Sequence, residues 1–442
     1  MGQYSDSKHK QAHFRSGAAR KRGTTLMART VLDRPPALQG WRTTDEEEVA
    51  LRRWRGRTEI VAIQALEPRQ PFFGTFRVQS GSGFFYEVEI RDLDHFSNSC
   101  GCIDHRANGL GTCKHIEGVF AALRQRSARA FREAAARGSP RVEVFLDRRG
   151  DASPKLMWPR GNRRHANAAT KWLAAFIEPD GSKIRDPNKV EALISAWRVA
   201  PADIRRQIRV SRHFSPWLDR LRRERSREAA RAEFLAEVRG GTARFDLLRH
   251  PLLPYQREGM LHLAFGERAL LADEMGLGKT VQAIAACELL ARRKGIARVL
   301  VVCPASLKAE WEEQIARFTD RPARSVFGTR PTRLAAYREP TFFTIVNYEQ
   351  VLGDAPDINE TLRPDVVVLD EAQRIKNWQI KTARRVKSLR SPYAFVLTGT
   401  PVENRIDELY SIVQYLDPEL VGPLFRFNRD FYKLDERGRP VD

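Results

Sequence analysis

The stretch Leu270–Gln282, LLADEMGLGKTVQ, constrains this chain more than any other. An apolar run leads into a glycine-lysine-threonine loop, and an apolar-periodic segment follows it. The loop therefore opens a helix, whose first N–H groups can cradle the phosphates of a nucleotide. Gly276 and Gly278 lack a Cβ, so the backbone can approach an anion closely. Lys279 brings a mobile point charge to the outer phosphates, and Thr280 offers a hydroxyl to Mg²⁺. The usual eight-residue spacing begins with glycine; Asp273 stands there instead, giving DEMGLGKT. Alone, Gly-Lys-Thr also suits an ordinary helix-capping turn, so the downstream sequence has to decide.

A chain of 442 residues has material for two or three domains. With 42% hydrophobic and 30% charged residues it reads as globular. No apolar run approaches the ~20 residues of a membrane span, and the start lacks the apolar core of a signal peptide. The expected location is the cytoplasm, at the nucleoid in a bacterium, or the nucleus in a nucleated cell. The formal charge of +21 is uneven: residues 246–442 carry 29 basic against 27 acidic side chains, residues 1–245 carry 47 against 28. An excess confined to one half and made mostly of arginine is the footprint of a polyanion partner, here nucleic acid; the competing reading is a solvated surface in an arginine-rich proteome.

Residues 1–40 form a basic arm without apolar period and are expected to be disordered. Residues 41–125 open with Trp41, Trp54 and the acids Asp45 to Glu48. From Phe72 to Ile90, aromatic and β-branched residues alternate around Gly81-Ser82-Gly83, a hairpin signal. Cys100-Gly-Cys102 and Cys113-Lys-His115 then give C-x-C-x10-C-x-H. Three thiolates and one imidazole make a closed tetrahedral zinc set that can replace a core in a small module. Ile116, Val119, Phe120 and Leu123 have helical spacing and would carry the second pair on a helix start. Cys287 and Cys303 lie in apolar runs and are expected to be buried thiols. Disulfides are the competing reading, disfavoured without a secretory segment. The stretch from about 72 to 123 resembles the SWIM zinc-finger family, a resemblance that implies contacts with DNA or protein.

Residues 126–245 read as a basic, mainly helical accessory or linker region. A strand is expected over Val142–Leu146, a turn at Arg149-Gly150-Asp151, and helices over Ala168–Ile177, Lys189–Trp197 and Leu218–Val238. The arginines of the last helix either follow a phosphate backbone or pair with Glu224, Glu228, Glu233 and Glu237.

Residues 246–442 carry short motifs in a fixed order. Leu253 to Gly259 contains Gln256, whose amide can both donate and accept, as reading an adenine edge requires. Val299–Cys303 is a buried-type strand ended by Pro304, with Ser306 expected to cap the helix that runs through Trp311 and Phe318. Strands over Phe342–Val346 and Val366–Leu369 follow; the second delivers Asp370 and Glu371 at its carboxyl end. There the aspartate would hold Mg²⁺ and the glutamate would orient and activate the attacking water. A fourth strand, from Phe395, ends in Thr398-Gly399-Thr400. Strands alternating with helices, with polar residues at the strand ends, describe an α/β fold: a parallel, RecA-like sheet flanked by helices whose ligand lies along that edge.

Residues from about 250 to 442 resemble the first RecA-like lobe of the SNF2 family of superfamily 2 ATPases. The matching stretches are PYQREG, DEMGLGKT, VVCPASLKAEW, IVNYE, DEAQRIKN and LTGTPVEN, and the tail Glu408–Tyr432 is similar too. The resemblance implies that Gln256 contacts adenine, that Gly276 to Thr280 hold the phosphates and Mg²⁺, and that Asp370 and Glu371 do the metal and water work. It places Ser306 and Thr398 to Thr400 near a DNA backbone or between DNA and the ATP site, and Gln373 stands where many relatives have histidine. The family hydrolyses ATP between two lobes, and the 38 residues after Asn404 are too few for a second. The expectation is a DNA-stimulated translocase or remodelling ATPase carrying one motor lobe. The alternative is an ATP- and DNA-binding half-motor or regulatory module that needs a second polypeptide for turnover. An RNA-directed helicase fits the DEMGLGKT and TGTPVEN wording less well.

Overall fold

The structure, a computed structural model, describes residues 25–26, 34–36, 43–150, 152–160, 167–178, 184, 186–375, 381–399, 406–434 and 440–441. The expected disordered arm lies almost wholly outside them, as do Trp41, Asp151, Thr400 and the stretch from Pro401 to Asn404.

The acidic cluster after residue 44 becomes the first turn of α1 (Asp45–Thr58). The Thr44 hydroxyl accepts from the Glu47 N–H at 3.2 Å, and the Glu47 carboxylate accepts from the Thr44 N–H at 2.8 Å, a reciprocal cap. An antiparallel sheet follows in sequence order: β1 (Thr25–Leu26), β2 (Ile60–Ala65), β3 (Thr75–Ser80), β4 (Phe85–Glu89) and β5 (Ser99–Cys100). The expected hairpin is β3–β4, turning at Gly83 with φ +83°. Next come α2 (Ile103–Ala107), α3 (Lys114–Arg126) and α4 (Ala128–Arg137). Helices α1 and α3 cross backbone to backbone, since a Cβ on Gly56 would lie 2.6 Å from the Gly118 nitrogen.

Residues 142–210 contribute a small three-stranded sheet of β6 (Val142–Asp147), β7 (Ser153–Met157) and β8 (Ile208–Val210). Its order is β7-β6-β8, with α5 (Asn167–Leu173), α6 (Pro187–Val199) and α7 (Ala202–Gln207) between β7 and β8. A core of its own includes Val144, Leu146, Leu193, Ile208, Phe214 and Leu218.

The last two residues belong to α8 (Phe214–Arg239), 26 residues and therefore about 39 Å long. Its first turns sit in that small core, while Phe234, near its other end, sits in the core of the α/β lobe. Of the expected pairings within the helix, Arg220 makes one, with Glu224; other partners come from elsewhere, Asp417 for Arg220, Glu191 for Arg222, Asn188 for Arg225, the Gly266 carbonyl for Arg227 and Glu258 for Arg231. The helix is a brace between the two halves.

The α/β lobe runs α9 (Pro254–Gly266), β9 (Arg268–Leu271), α10 (Lys279–Lys294), β10 (Val299–Cys303), α11 (Lys308–Phe318), β11 (Ala323–Ser325) and α12 (Arg330–Arg338). It continues with β12 (Phe343–Asn347), α13 (Tyr348–Asp357), β13 (Val366–Leu369), α14 (Lys381–Val386), β14 (Tyr393–Leu397), α15 (Ile406–Leu416) and α16 (Leu424–Phe431). The six strands form a sheet of order β11-β12-β10-β13-β14-β9, and all five pairings are parallel. Both faces are covered, so the central strands are apolar throughout rather than alternating. Val299, Val301 and Cys303 of β10 enter one core with α10 and α11; Leu300 and Val302 enter the other with α12 and α13.

One local expectation fails. Ser306 does not cap α11: after Pro304 the chain enters a 3-10 turn, Ala305–Leu307, and runs directly into the helix, with no side chain bonded at its N-cap. A serine already wound into helical turn geometry cannot take the extended backbone a capping hydroxyl requires. It is exposed on the carboxyl edge of the sheet instead.

Candidate functional site

The sheet order brings the two halves of the expected ATP site together across one strand. β9 ends at the glycine loop, β13 ends at Asp370, and β14 lies between them and ends at Thr398 and Gly399. The loop's two glycines both adopt left-handed backbone, Gly276 at φ +84° and Gly278 at +70°, which a side chain would strain. At Gly278 there is also no room: a Cβ would lie 2.7 Å from the Gln256 amide nitrogen. That amide reaches the Leu277 carbonyl at 3.5 Å, and its oxygen accepts from the Leu253 N–H at 3.1 Å. Gln256 therefore rests on the loop itself.

Lys279, the first residue of α10, donates to the carbonyls of Asp273 and Glu274, both at 2.9 Å. Its ammonium sits in the mouth of the loop, and a Cβ on Gly399 would come within 3.6 Å of it. Asp273, the departure from the usual spacing, has a partner. Its carboxylate accepts from the Gln282 amide at 3.1 Å, and Gln282 reaches it only because Gly259 leaves space on α9.

Asp370 is buried at the end of β13. Burial pushes its carboxyl above the usual aspartate range, against the stabilising N–H groups of Trp311 and Glu371 and the charge of Lys279. Glu371 turns off the strand with φ +50°, a conformation a glutamate adopts at a cost of about 1–2 kcal/mol. Its carboxylate accepts from the Gln373 amide, and the Gln373 oxygen accepts from the Thr398 hydroxyl at 3.2 Å. Gln373 thus links the end of β13 to the end of β14.

The chain matches the SNF2-related domain family over residues 217–438, half of its length. It belongs to the SNF2-related family. Chromodomain-helicase-DNA-binding protein 8 of Danio rerio is 31% identical over 205 residues, 41% of this chain and 8% of that protein. The putative ATP-dependent helicase/translocase YwqA of Bacillus subtilis is 32% identical over 198 residues, 42% of this chain and 21% of its own length. DNA repair and recombination protein RAD54B of Gallus gallus is 29% identical over 206 residues, 42% and 22%. The chain therefore spans about a fifth or less of these relatives. The Sulfolobus solfataricus SWI2/SNF2 ATPase core solved in complex with dsDNA shares 34% identity, with a TM-score of 0.39, over 42% of this chain and 39% of that one.

In this SNF2-related chain the N-terminal cysteines form a second centre. The ligand atoms of Cys100, Cys102, Cys113 and His115 all lie within 4.8 Å of one another, and all four residues are buried. Cys100 ends β5, Cys102 is the N-cap of α2, Cys113 is the N-cap of α3, and His115 lies in the first turn of α3. Thus the second pair does sit on a helix start. The His115 Nδ1 faces the sulfurs, at 3.7 Å from Cys100 and 3.9 Å from Cys113, and the Tyr86 ring stacks on the imidazole at 4.2 Å. All five cysteines are free and buried.

Sequence reasoning missed the partners of the acids more than the acids. Gln282, as a partner of Asp273, and Trp311 and Tyr348, as partners of Asp370, have no role in that reading: Trp311 is expected on a helix and Tyr348 just past a strand end. No helix among the described residues is long and apolar enough to cross a membrane.

Proposed function

We propose that this chain is the first RecA-like lobe of an ATP-dependent, DNA-stimulated translocase or remodelling ATPase. The observation that carries the reading is the convergence of Lys279, Asp370 and Glu371 on one edge of a parallel sheet, where Gln373 joins Glu371 to Thr398. In this reading Gln256 holds the adenine edge, and the N–H groups from Gly276 to Thr280 with Lys279 bind the phosphates. Thr280 and Asp370 would hold Mg²⁺, which would offset phosphate charge. The donor set suits it: one hydroxyl and one carboxylate, each of whose oxygens has only one hydrogen bond. Glu371 orients and deprotonates the attacking water, and the Gln373–Thr398 link carries the state of the β14 end to it. Turnover is completed by a second RecA-like lobe, on this protein or on a partner polypeptide. The direct test is ATP turnover with and without duplex DNA.

DNA is the polyanion that the charge of residues 1–245 and the names of the relatives favour. Binding to duplex DNA is expected to weaken roughly 10- to 1000-fold between about 50 and 200 mM salt, as released counterions require. Affinity that ignores salt would remove the electrostatic reading.

The cysteine cluster is a structural zinc site. A tetrahedral Zn²⁺ with Zn–S about 2.3 Å and Zn–N about 2.0–2.1 Å would set each sulfur about 3.5 Å from the imidazole nitrogen, and the His115 Nδ1 lies 3.7 Å from the Cys100 sulfur and 3.9 Å from that of Cys113. Three thiols and an imidazole with no open position give a closed site, so its role is to hold the module of residues 72–123 together. Elemental analysis should find about one zinc per chain, and Cys102→Ser should lose it. A folded, metal-free protein would end the claim.

A further inference from the structure

Asp370 is gripped from three directions. The Trp311 indole Nε1–H donates to its Oδ2 at 2.8 Å, the Glu371 N–H donates to its Oδ1 at 2.9 Å, and the Tyr348 hydroxyl donates to its backbone carbonyl at 2.7 Å. Trp311 and Tyr348 are each only 2% exposed and come from α11 and α13, helices on opposite faces of the sheet. Strand β13 itself holds the Asp370 N–H on the Val302 carbonyl at 2.9 Å. Neither the side chain nor the peptide unit of Asp370 is free to turn.

A carboxylate has about four acceptor positions, and the two N–H bonds occupy one on each oxygen. One direction per oxygen is left, away from the indole. We propose that Trp311 is a positioning residue, with Tyr348 as its counterpart on the main chain: together they fix the rotamer of Asp370 so that its remaining lone pairs face the Mg²⁺–nucleotide. The inference rests on Asp370 being a Mg²⁺ ligand, and it adds how the ligand is aimed. Trp311 also begins one turn after the exposed Ala305–Leu307 segment, so α11 ties the aim of the carboxylate to the outer edge of the sheet.

A purely structural tryptophan would fill the core equally well without its N–H. Trp311→Phe keeps an aromatic ring and removes the donor, so the two roles separate. The experiment is a Mg²⁺ titration of fluorescent ATP-analogue binding to the intact chain, with a parallel measurement in chelator. Half-saturating Mg²⁺ should rise about 10- to 100-fold in Trp311→Phe, the usual cost of removing an outer partner of a metal ligand, while metal-free nucleotide affinity stays as it was. A half-saturation within twofold of the unaltered chain would overturn the proposal. Should Trp311→Phe not fold, Tyr348→Phe reads the same titration: a raised requirement supports the clamp, and an unchanged one overturns it. An unaltered chain whose nucleotide binding ignores Mg²⁺ would instead remove the metal-ligand reading of Asp370, and the inference with it.

Discussion

Lys279→Ala is expected to abolish DNA-stimulated ATP turnover, by at least about 10²–10³-fold, the scale on which loss of a single charge-stabilising donor acts. Among the described residues the ammonium bonds two loop carbonyls, of Asp273 and Glu274, which hold it at the mouth where outer phosphates would lie. Gly399, just after β14, faces it, with 3.6 Å between the ammonium and the place a Cβ would take. The fold should survive, since the lysine stem is partly exposed and the helix it opens is anchored by Ile284, Ala285 and Cys287 in the core. The measurement is phosphate release with and without duplex DNA. DNA-stimulated turnover that Lys279→Ala removes establishes a working ATPase. Turnover that survives the substitution places the activity elsewhere. Absent turnover in the unaltered chain, with ATP still bound, identifies it as half of a motor awaiting a second lobe.

Much of that site was legible because its residues are dictated by local chemistry. Glycines at positive φ, a lysine at a helix start and two acids ending a Val-Val-Val-Leu strand each leave a mark within a few positions. The link between them was not legible. Gln373 meets Thr398 across 25 positions, and Trp311 meets Asp370 across 59, and neither span has a periodicity that points to its other end. Ser306 shows the same limit at short range: a serine after proline has the composition of a cap, but the 3-10 turn into α11 removes the geometry.

The fold divides in the same way. The strands of the α/β lobe were readable as continuous apolar runs, since a parallel sheet covered on both faces needs nothing else. Their order was not, and the placement of β14 between β9 and β13, which builds the site, comes from tertiary packing alone. The arginines of α8 have partners that neither reading named, because they come from other elements: Glu191 on α6, Glu258 on α9, Asp417 after α15. Least legible of all was the contact that joins the five-stranded N-terminal sheet to residues 142–210, because charged residues inside β4, β6 and β8 look like solvent-facing positions.

Arg209→Met is expected to destabilise that joint by about 3–5 kcal/mol, lowering the melting temperature on the order of 10 °C. Arg209 of β8 donates to the Glu143 carboxylate of β6 at 2.6 Å and to the Ile90 carbonyl at 2.7 Å, and Arg91 bonds Glu89 and the Ser99 hydroxyl beside it. Ser211 completes the group, donating to Glu89 at 2.6 Å. Glu89, Arg91 and Glu143 are no more than 2% exposed, so methionine fills the space but leaves a buried anion without its closest cation. Adding Glu143→Leu should recover most of the loss, since an apolar pair replaces an ion pair at little cost. Losses that simply add in the double variant would show the two residues act independently. The same cluster sets a response to acid. Burial alone would raise the Glu89 carboxyl, but the charges of Arg91, His213 and Arg209 and the Ser211 hydroxyl outweigh it and hold its pKa at about 2. A carboxyl depressed below its unfolded value near 4.3 contributes stability that is complete above that value and is lost as pH falls toward 2. Removing Arg209 lets the Glu89 pKa rise, so acid unfolding of Arg209→Met, followed by circular dichroism, should begin at a higher pH than in the unaltered chain. A coincident acid transition would mean that Arg91 and Ser211 hold Glu89 without help from β8's arginine.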